Sequence, residues 1–360
     1  MTSAWTDRKV GVRRAVTVAA ACGALLFTAA CGGGGGGDAA GPSSEGGGGG
    51  EREKLIVSMP VIPPNFVHVM PWVAQDQGFY DQFGVDVELV SLDTGVTALR
   101  GAEAGSADIA AVPTPTLINA VAQGGSAKAF YTYSDKLDVQ MVTTADVNGC
   151  EDLRGKVVGV DEVGGFAEVL TKMYYTSCGL TQEDVTYGNF PGAEGQAMAQ
   201  GQSSSGVLHI DEAQGVMEQF PDAGLKSVVN LWDVVPDWHY AGFAAPESIL
   251  QERRDAIVAF TAANIAANRF MTDTANKEAV LDTAEEVTGL DREILSQTYD
   301  TFIEDELFPD DNGYPQEMVD FTADQQVKLG NITEDIKPTY EQLVDTTIYD
   351  DALALYEEKS

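Results

Sequence analysis

Residues 108–143 run DIAAVPTPTLINAVAQGGSAKAFYTYSDKLDVQMVT, and the order of elements in this stretch decides the fold. Residues 108–112 are a short apolar run of the kind that makes a strand buried on both faces. Thr114 then offers a helix cap, and Pro115 sits at the first helical position, where a missing N–H costs nothing. The helix runs to Gln123, and further strands follow over 127–133 and 139–143. A strand, a helix and a strand in that order imply parallel pairing with helices over the faces of the sheet.

The same alternation extends in both directions. Upstream, strands are predicted over 54–59 and 85–90, with helices over 67–77 and 95–104, the second closed by Gly105. Downstream the cycle begins again. A strand over 156–160 precedes a helix opened by Gly164-Gly165 and ending at Cys178-Gly179. Strands over 185–190 and 207–210 alternate with helices over 193–199 and 212–219. A strand over 227–230 follows, and another over 240–244 returns to the first set. From Pro246 onward the pattern is helical, broken by an acidic, Pro/Gly-containing excursion over 308–315. The fold class is therefore α/β: two lobes joined by two crossings, each a mainly parallel sheet flanked by helices, with a helical C-terminal tail. Ligands in such sheets sit at the carboxyl ends of the strands.

The N-terminal 52 residues carry a different message. Arg8, Lys9, Arg13 and Arg14 form a basic opening to an uncharged run over 15–30, too short for a comfortable membrane span and well suited to a signal peptide. It closes on Leu26-Phe27-Thr28-Ala29-Ala30-Cys31, which resembles a bacterial lipobox, with Thr28 in place of the commoner leucine. Cys31 is the expected lipidation site. Arg13-Arg14 leaves twin-arginine export open, although the rest of that motif is missing. Residues 32–37 and 46–50 are glycine, bracketing a polar stretch with nothing large to pack. Such a chain cannot offset its ordering entropy. Over roughly 20 residues it spans about 25 Å as a flexible tether. The expected division is a signal peptide over 1–30 and a tether over 31–52. A first lobe is then built from 53–144 and 240–360, and a second from 145–239.

The chain has 21 Lys+Arg against 56 Asp+Glu, a formal charge of −35. Cleavage before Cys31 removes four basic residues and Asp7, leaving 17 against 55 and a charge of −38. So acidic a surface argues against nucleic acid and against docking on anionic lipid by charge. Of four cysteines, Cys22 goes with the signal and Cys31 with the lipid, so Cys150 and Cys178 remain. An even pair in an oxidising compartment reads as a disulfide at one end of a βα unit, with two free buried thiols as the alternative. A zinc site would need more Cys or His than the mature chain offers nearby.

In the order and spacing of its segments, the chain resembles the nitrate/sulfonate/taurine-type substrate-binding proteins of ABC transporters. Their branch that binds thiamine-pyrimidine precursors is included in the resemblance. Trp72-Val-Ala-Gln-Asp-Gln-Gly-Phe-Tyr80 with Gly84-Val-Asp-Val-Glu-Leu89 is similar to that family's opening helix and second strand. Gly105-Ser-Ala-Asp-Ile109 and Asp152-Leu-Arg-Gly-Lys-Val-Val-Gly-Val160 resemble its next strand entry and the start of its second lobe. Leu343-Val-Asp345 through Ala352-Leu353 resembles its closing helix. The usual glycine, polar residue and Asp before the strand at Val207 are replaced by Gln202-Ser-Ser-Ser-Gly206. The resemblance implies a type II periplasmic-binding fold, a hinged clamp that closes on a small-molecule ligand. It also implies a monomer, held outside the membrane by its lipid, that serves an ABC permease without a cofactor or metal.

Candidate ligand contacts follow from where helix N-termini meet the cleft, because free N–H groups and the positive dipole end favour acceptor groups. These are Thr94 and Gly95, Thr114 to Thr116, Gly164, Gly165 and Phe166, and Asp211 with Glu212; ordinary capping is the plain alternative for each. The resemblance adds Asn65 and His68, which precede the first helix proper where the family places a ligand-facing segment. His209 stands at a strand end beside Asp211. Trp72, Tyr131, Tyr133, Trp238 and Tyr240 are possible stacking platforms, or core. Few cations stand among these residues. Rings together with His209, Asp211 and Glu212 suit a neutral or weakly basic heterocycle, such as a pyrimidine-like compound, ahead of an alkanesulfonate, taurine or nitrate. Catalysis is disfavoured: there is no G-x-S-x-G elbow, P-loop or H-E-x-x-H. Nor is there the Cys-rich, iron-associated segment of the pyrimidine-synthesising enzyme that shares this fold. A receptor reporting to a membrane sensor stays open beside transport.

Overall fold

The computed structural model describes residues 52–310 and 313–360. The expected signal peptide, the lipidation site Cys31 and the tether up to residue 51 lie outside the described residues. In chain order, the strands are β1 (Glu53–Met59), β2 (Val85–Ser91), β3 (Ile109–Pro113), β4 (Ala127–Ser134) and β5 (Val139–Thr143). They continue with β6 (Val157–Val160), β7 (Thr186–Asn189), β8 (Ser205–His209), β9 (Lys226–Asn230) and β10 (Ala241–Pro246). They form two five-stranded sheets, ordered β2-β1-β3-β10-β4 and β7-β6-β8-β5-β9.

Both sheets are mixed rather than mainly parallel: four strands of each run the same way, and each holds one reversed strand for the same reason. β10 is antiparallel to β3 and β4, and β5 is antiparallel to β8 and β9. Each is the strand that enters a sheet directly after the chain has crossed from the other. The crossing leaves one sheet at the carboxyl ends of its strands and meets the next sheet at the same edge. The incoming strand must therefore run away from the cleft while its neighbours run toward it. The expected first-lobe limit at residue 144 moves accordingly. β5 pairs only with second-sheet strands, so the first crossing lies at 135–138 and the return at 235–240.

The first sheet is backed by the helix Arg254–Thr272, whose alanines let it lie close and whose Phe260 meets the Phe243 ring edge-on at 5.0 Å. Tyr131, expected as a stacking platform for ligand, belongs to this core instead. It is 0% exposed and stacks on Tyr349 at 6.0 Å. Helical structure continues to Lys359. In the second lobe Cys150 and Cys178 are disulfide-bonded with Cα atoms 6.0 Å apart, inside the usual range. Among the described residues, no helix is long and apolar enough to cross a membrane.

Candidate functional site

The carboxyl ends of both sheets converge on a cavity of about 180 Å³. A dry cavity of roughly 150 Å³ holds one benzene ring, so this one is of single-ring size. Its walls come from the segments that follow β1, β2, β3, β6, β7 and β8, as the strand directions require. Tyr240, on the return crossing just before β10, forms its floor. Thr288 and Leu290, from a turn in the helical tail, reach its rim.

After β1 comes Pro60-Val61-Ile62-Pro63-Pro64, whose prolines withhold N–H donors and keep the chain from continuing the strand. It delivers Asn65 to the cavity at the head of the 3₁₀ turn Phe66–His68. Asn65 is 9% exposed, makes no side-chain cap, and its carboxamide has no protein partner among the described residues. His68 is 1% exposed, and its Nε2 lies 3.3 Å from the Tyr240 hydroxyl. That hydroxyl is also 3.3 Å from Nε2 of His209, whose Nδ1 lies 2.9 Å from both carboxylate oxygens of Asp138.

Asp138, His209, Tyr240 and His68 thus form one hydrogen-bonded chain across both crossings, from the second lobe into the first. Burial opposes charge on His209, but the Asp138 carboxylate, with Asp211 and Glu212 behind it, outweighs burial and pushes its pKa up to about 9. Burial, and then the charge of His209, holds His68 well below the ordinary histidine value. The consistent arrangement has His209 protonated and donating to the Tyr240 oxygen, with Tyr240 donating to a neutral His68. The Phe166 ring sits 4.6 Å from that of Tyr240 and stacks on His209 at 6.4 Å, closing the aromatic side of the cavity.

The lining is also acidic. Asp93 follows β2, Asp161 follows β6, Glu194 opens the helix Glu194–Ala199, and Glu212 lies in the first turn of the helix Ile210–Gln219. Burial first, and repulsion by Glu212 second, raise the pKa of Glu194. Glu212 is raised by burial and by Asp211, with His209 acting against them. Burial raises Asp161 to about 6 although the Ala167 N–H, 3.2 Å away, donates to it. No Lys or Arg lines the cavity, and the one charged cation there, His209, is committed to Asp138. Among the described residues, no group of three His, Cys, Asp or Glu side chains is placed to hold a metal ion.

Two contacts fasten the lobes over this cavity. The Phe66 N–H donates to Asp211 Oδ2 at 2.7 Å, and Thr94 Oγ1 donates to Glu162 Oε2 at 2.6 Å. The expected site residues therefore separate into groups. Asn65, His68, Gly95, Phe166 and His209 line the cavity. Thr94 and Asp211 fasten the lobes from just outside it. Thr94 also caps the helix Gly95–Glu103, accepting from the Thr97 N–H at 3.1 Å.

The other expected contacts lie elsewhere. Thr114 is not the cap of its helix, because Pro113 occupies that position. Its hydroxyl is taken by His239 Nδ1 at 2.8 Å and by Tyr314 at 2.6 Å. Thr116 and Gly164 border a separate open groove, and the Gly164 N–H is spent on Glu168 at 2.5 Å. Gly165 heads the helix Phe166–Ser177 with its Cα against Asp161, so it shapes the turn without lining the cavity. Trp72 is half-buried against the first-lobe core.

The sequence profile of the NMT1/THI5-like family matches residues 65–277. No curated protein matches the chain significantly. Among solved structures, the periplasmic nitrate-binding protein NrtA from Synechocystis PCC 6803 superposes with a TM-score of 0.73 at 14% identity, over 85% of this chain and 90% of that one. The alkanesulfonate-binding protein SsuA from Xanthomonas axonopodis pv. citri, bound to MOPS, gives 0.63 at 15% identity, over 81% and 96%. The zinc-bound ligand-binding component of an ABC-type import system from Staphylococcus aureus gives 0.68 at 12% identity, over 84% and 99%. These likenesses establish the periplasmic-binding fold, and with its profile matched over more than half of the chain, the protein belongs to the NMT1/THI5-like family.

Proposed function

We propose that the protein is an extracytoplasmic solute-binding lipoprotein that captures a small organic ligand between its two lobes and delivers it to an ABC permease. The observation that carries this reading is the single-ring-sized cavity formed where the carboxyl ends of both sheets meet, with the lobes fastened beside it by Phe66–Asp211 and Thr94–Glu162. A ligand bound there touches both lobes and favours the closed arrangement, which is the form a permease can tell from an empty receptor.

Phe166 and Tyr240 offer ring faces, and Asn65 offers a carboxamide donor and acceptor, which together suit a one-ring heterocycle. Nitrate and alkanesulfonate, the ligands named for two structural neighbours, are disfavoured in this cavity. Their charge would meet Asp93, Asp161 and Glu212 with no Lys or Arg in the lining to offset it. The lipid anchor at Cys31 would keep the receptor at the outer face of the membrane.

A thermal-shift screen against pyrimidines, other heterocycles, sulfonates, nitrate and amino acids tests the reading. A true ligand at 100 times its Kd stabilises the fold by about 2.7 kcal/mol, a shift of several degrees. No shift with any class would overturn the receptor reading.

A further inference from the structure

We infer that the cavity is built for a compact organic cation rich in N–H donors, of the amidinium or protonated aminoheterocycle class, received by Glu194 and Glu212 with Asn65 beside them. This inference rests on the receptor reading and narrows it.

Three independent observations converge on it. First, Glu194 is 5% exposed, lines the cavity, and its carboxyl group is held by the backbone N–H groups of Ala193 and Glu194 with no cationic side chain beside it among the described residues. Placing a carboxylate in such a position is costly unless a partner arrives. Second, Asn65 is nine-tenths buried on the opposite lobe, lines the same space, and its carboxamide has no hydrogen-bond partner among the described residues. Third, the lining holds four carboxylates and no Lys or Arg, while His209 is held by Asp138 and Tyr240 at its two ring nitrogens.

A metal ion would satisfy the charge but not the geometry, since no three acidic, His or Cys side chains converge among the described residues. An organic cation spreads its charge over several N–H groups and can meet separate carboxylates at once. Its flat body would lie against the Phe166 and Tyr240 rings, which attract cations through their faces.

The test uses three molecules of one shape that differ in charge: benzamidinium, benzamide and benzoate, each titrated calorimetrically into the full chain. Benzamidinium should bind, benzamide more weakly, and benzoate not at all. Glu194→Gln should weaken benzamidinium by about 10- to 100-fold, the worth of one charge-assisted hydrogen bond. Its ligand-free melting temperature should be unchanged or raised, because burial already disfavours the charged form that the variant removes. Glu212→Gln supplies a second variant with the same expected loss should the first fold poorly.

Binding of benzoate as tight as that of benzamidinium overturns the cationic inference and leaves the receptor reading standing. So does unchanged benzamidinium affinity in both variants. Absence of binding by all three overturns the inference as well, and the receptor reading then falls only if the wider thermal-shift screen is also silent.

Discussion

Replacing Asp138 by Asn breaks the hydrogen-bonded chain at its charged end, and the consequence can be worked out from the site. Asp138 is 1% exposed and holds His209 Nδ1 at 2.9 Å. The rise of His209 from 6.5 to about 9 corresponds to about 3 kcal/mol of preference for the protonated ring in the folded chain. A group with a raised pKa contributes its full stability below its unfolded value and loses it as the pH climbs through its folded value. The pairing therefore stabilises fully below pH 6.5 and fades through about pH 9. Asp138→Asn should cost about 3 kcal/mol in denaturant unfolding near pH 6 and little near pH 10. The assay has a second, residue-specific readout, because the chain contains only three histidines. By NMR the His209 ring should titrate near 9 in the native protein and well below that in Asp138→Asn, where burial is opposed only by Asp211 and Glu212. An equal loss of stability at both pH values, or a native His209 that titrates near 6.5, would refute the reasoning.

Three further outcomes follow from neighbouring features. A Cβ on Gly95 would stand 2.5 Å from Pro113 Cδ, so Gly95→Ala should lower stability by about 1–3 kcal/mol in thermal melts despite alanine's helix preference; a more stable variant would contradict this packing. Asp211 is fully buried, and burial raises it from 3.8 to about 6, so its contribution is intact below 3.8 and lost as the pH climbs through 6. Asp211→Asn keeps an acceptor for the Phe66 N–H without that loss, and its stability relative to the native chain should improve by up to about 3 kcal/mol between pH 4 and 7, whereas a constant difference would count against the burial argument. The Cys150–Cys178 bond closes a separation of 28 residues, so Cys150→Ser should cost about 3–4 kcal/mol in urea unfolding, and an unchanged midpoint would mean the bond contributes nothing.

Much of the architecture was legible because it is carried by periodicity. The apolar run over 108–112 and the helix begun at Thr114-Pro115 are local signals, and the structure places β3 and its helix within a residue of them. What a strand pairs with is not local. The alternation over 139–143 marks a strand equally well in either sheet, and only the tertiary pairing puts β5 beside β8 and β9. Site residues divide along the same line. Asn65, His68, Gly95, Phe166 and His209 follow or flank strand ends on the cleft side, and the structure brings them to the cavity. Tyr131 lies in the body of β4, short of its cleft end, and the helix Thr346–Lys359 covers it through Tyr349, so its ring is core. Thr114 was drawn away by two partners, His239 and Tyr314, that lie 125 and 200 residues along the chain. Asp93, Asp161 and Glu194 were passed over because carboxylates are so abundant in this chain that none stands out. The usable signal is position: Asp161 directly follows β6, Asp93 comes two residues after β2, and Glu194 opens the helix after β7.

The proposal that this protein is a receptor closing on a small molecule is tested most directly by native mass spectrometry of the protein incubated with a mixed small-molecule extract, compared with Glu194→Lys. The variant places an ammonium group where the proposed ligand's charge belongs. A single added mass, one per chain, is expected on the native protein and none on the variant. No added mass on the native protein would contradict the proposal, whereas an equal added mass on both would contradict only the role given to Glu194.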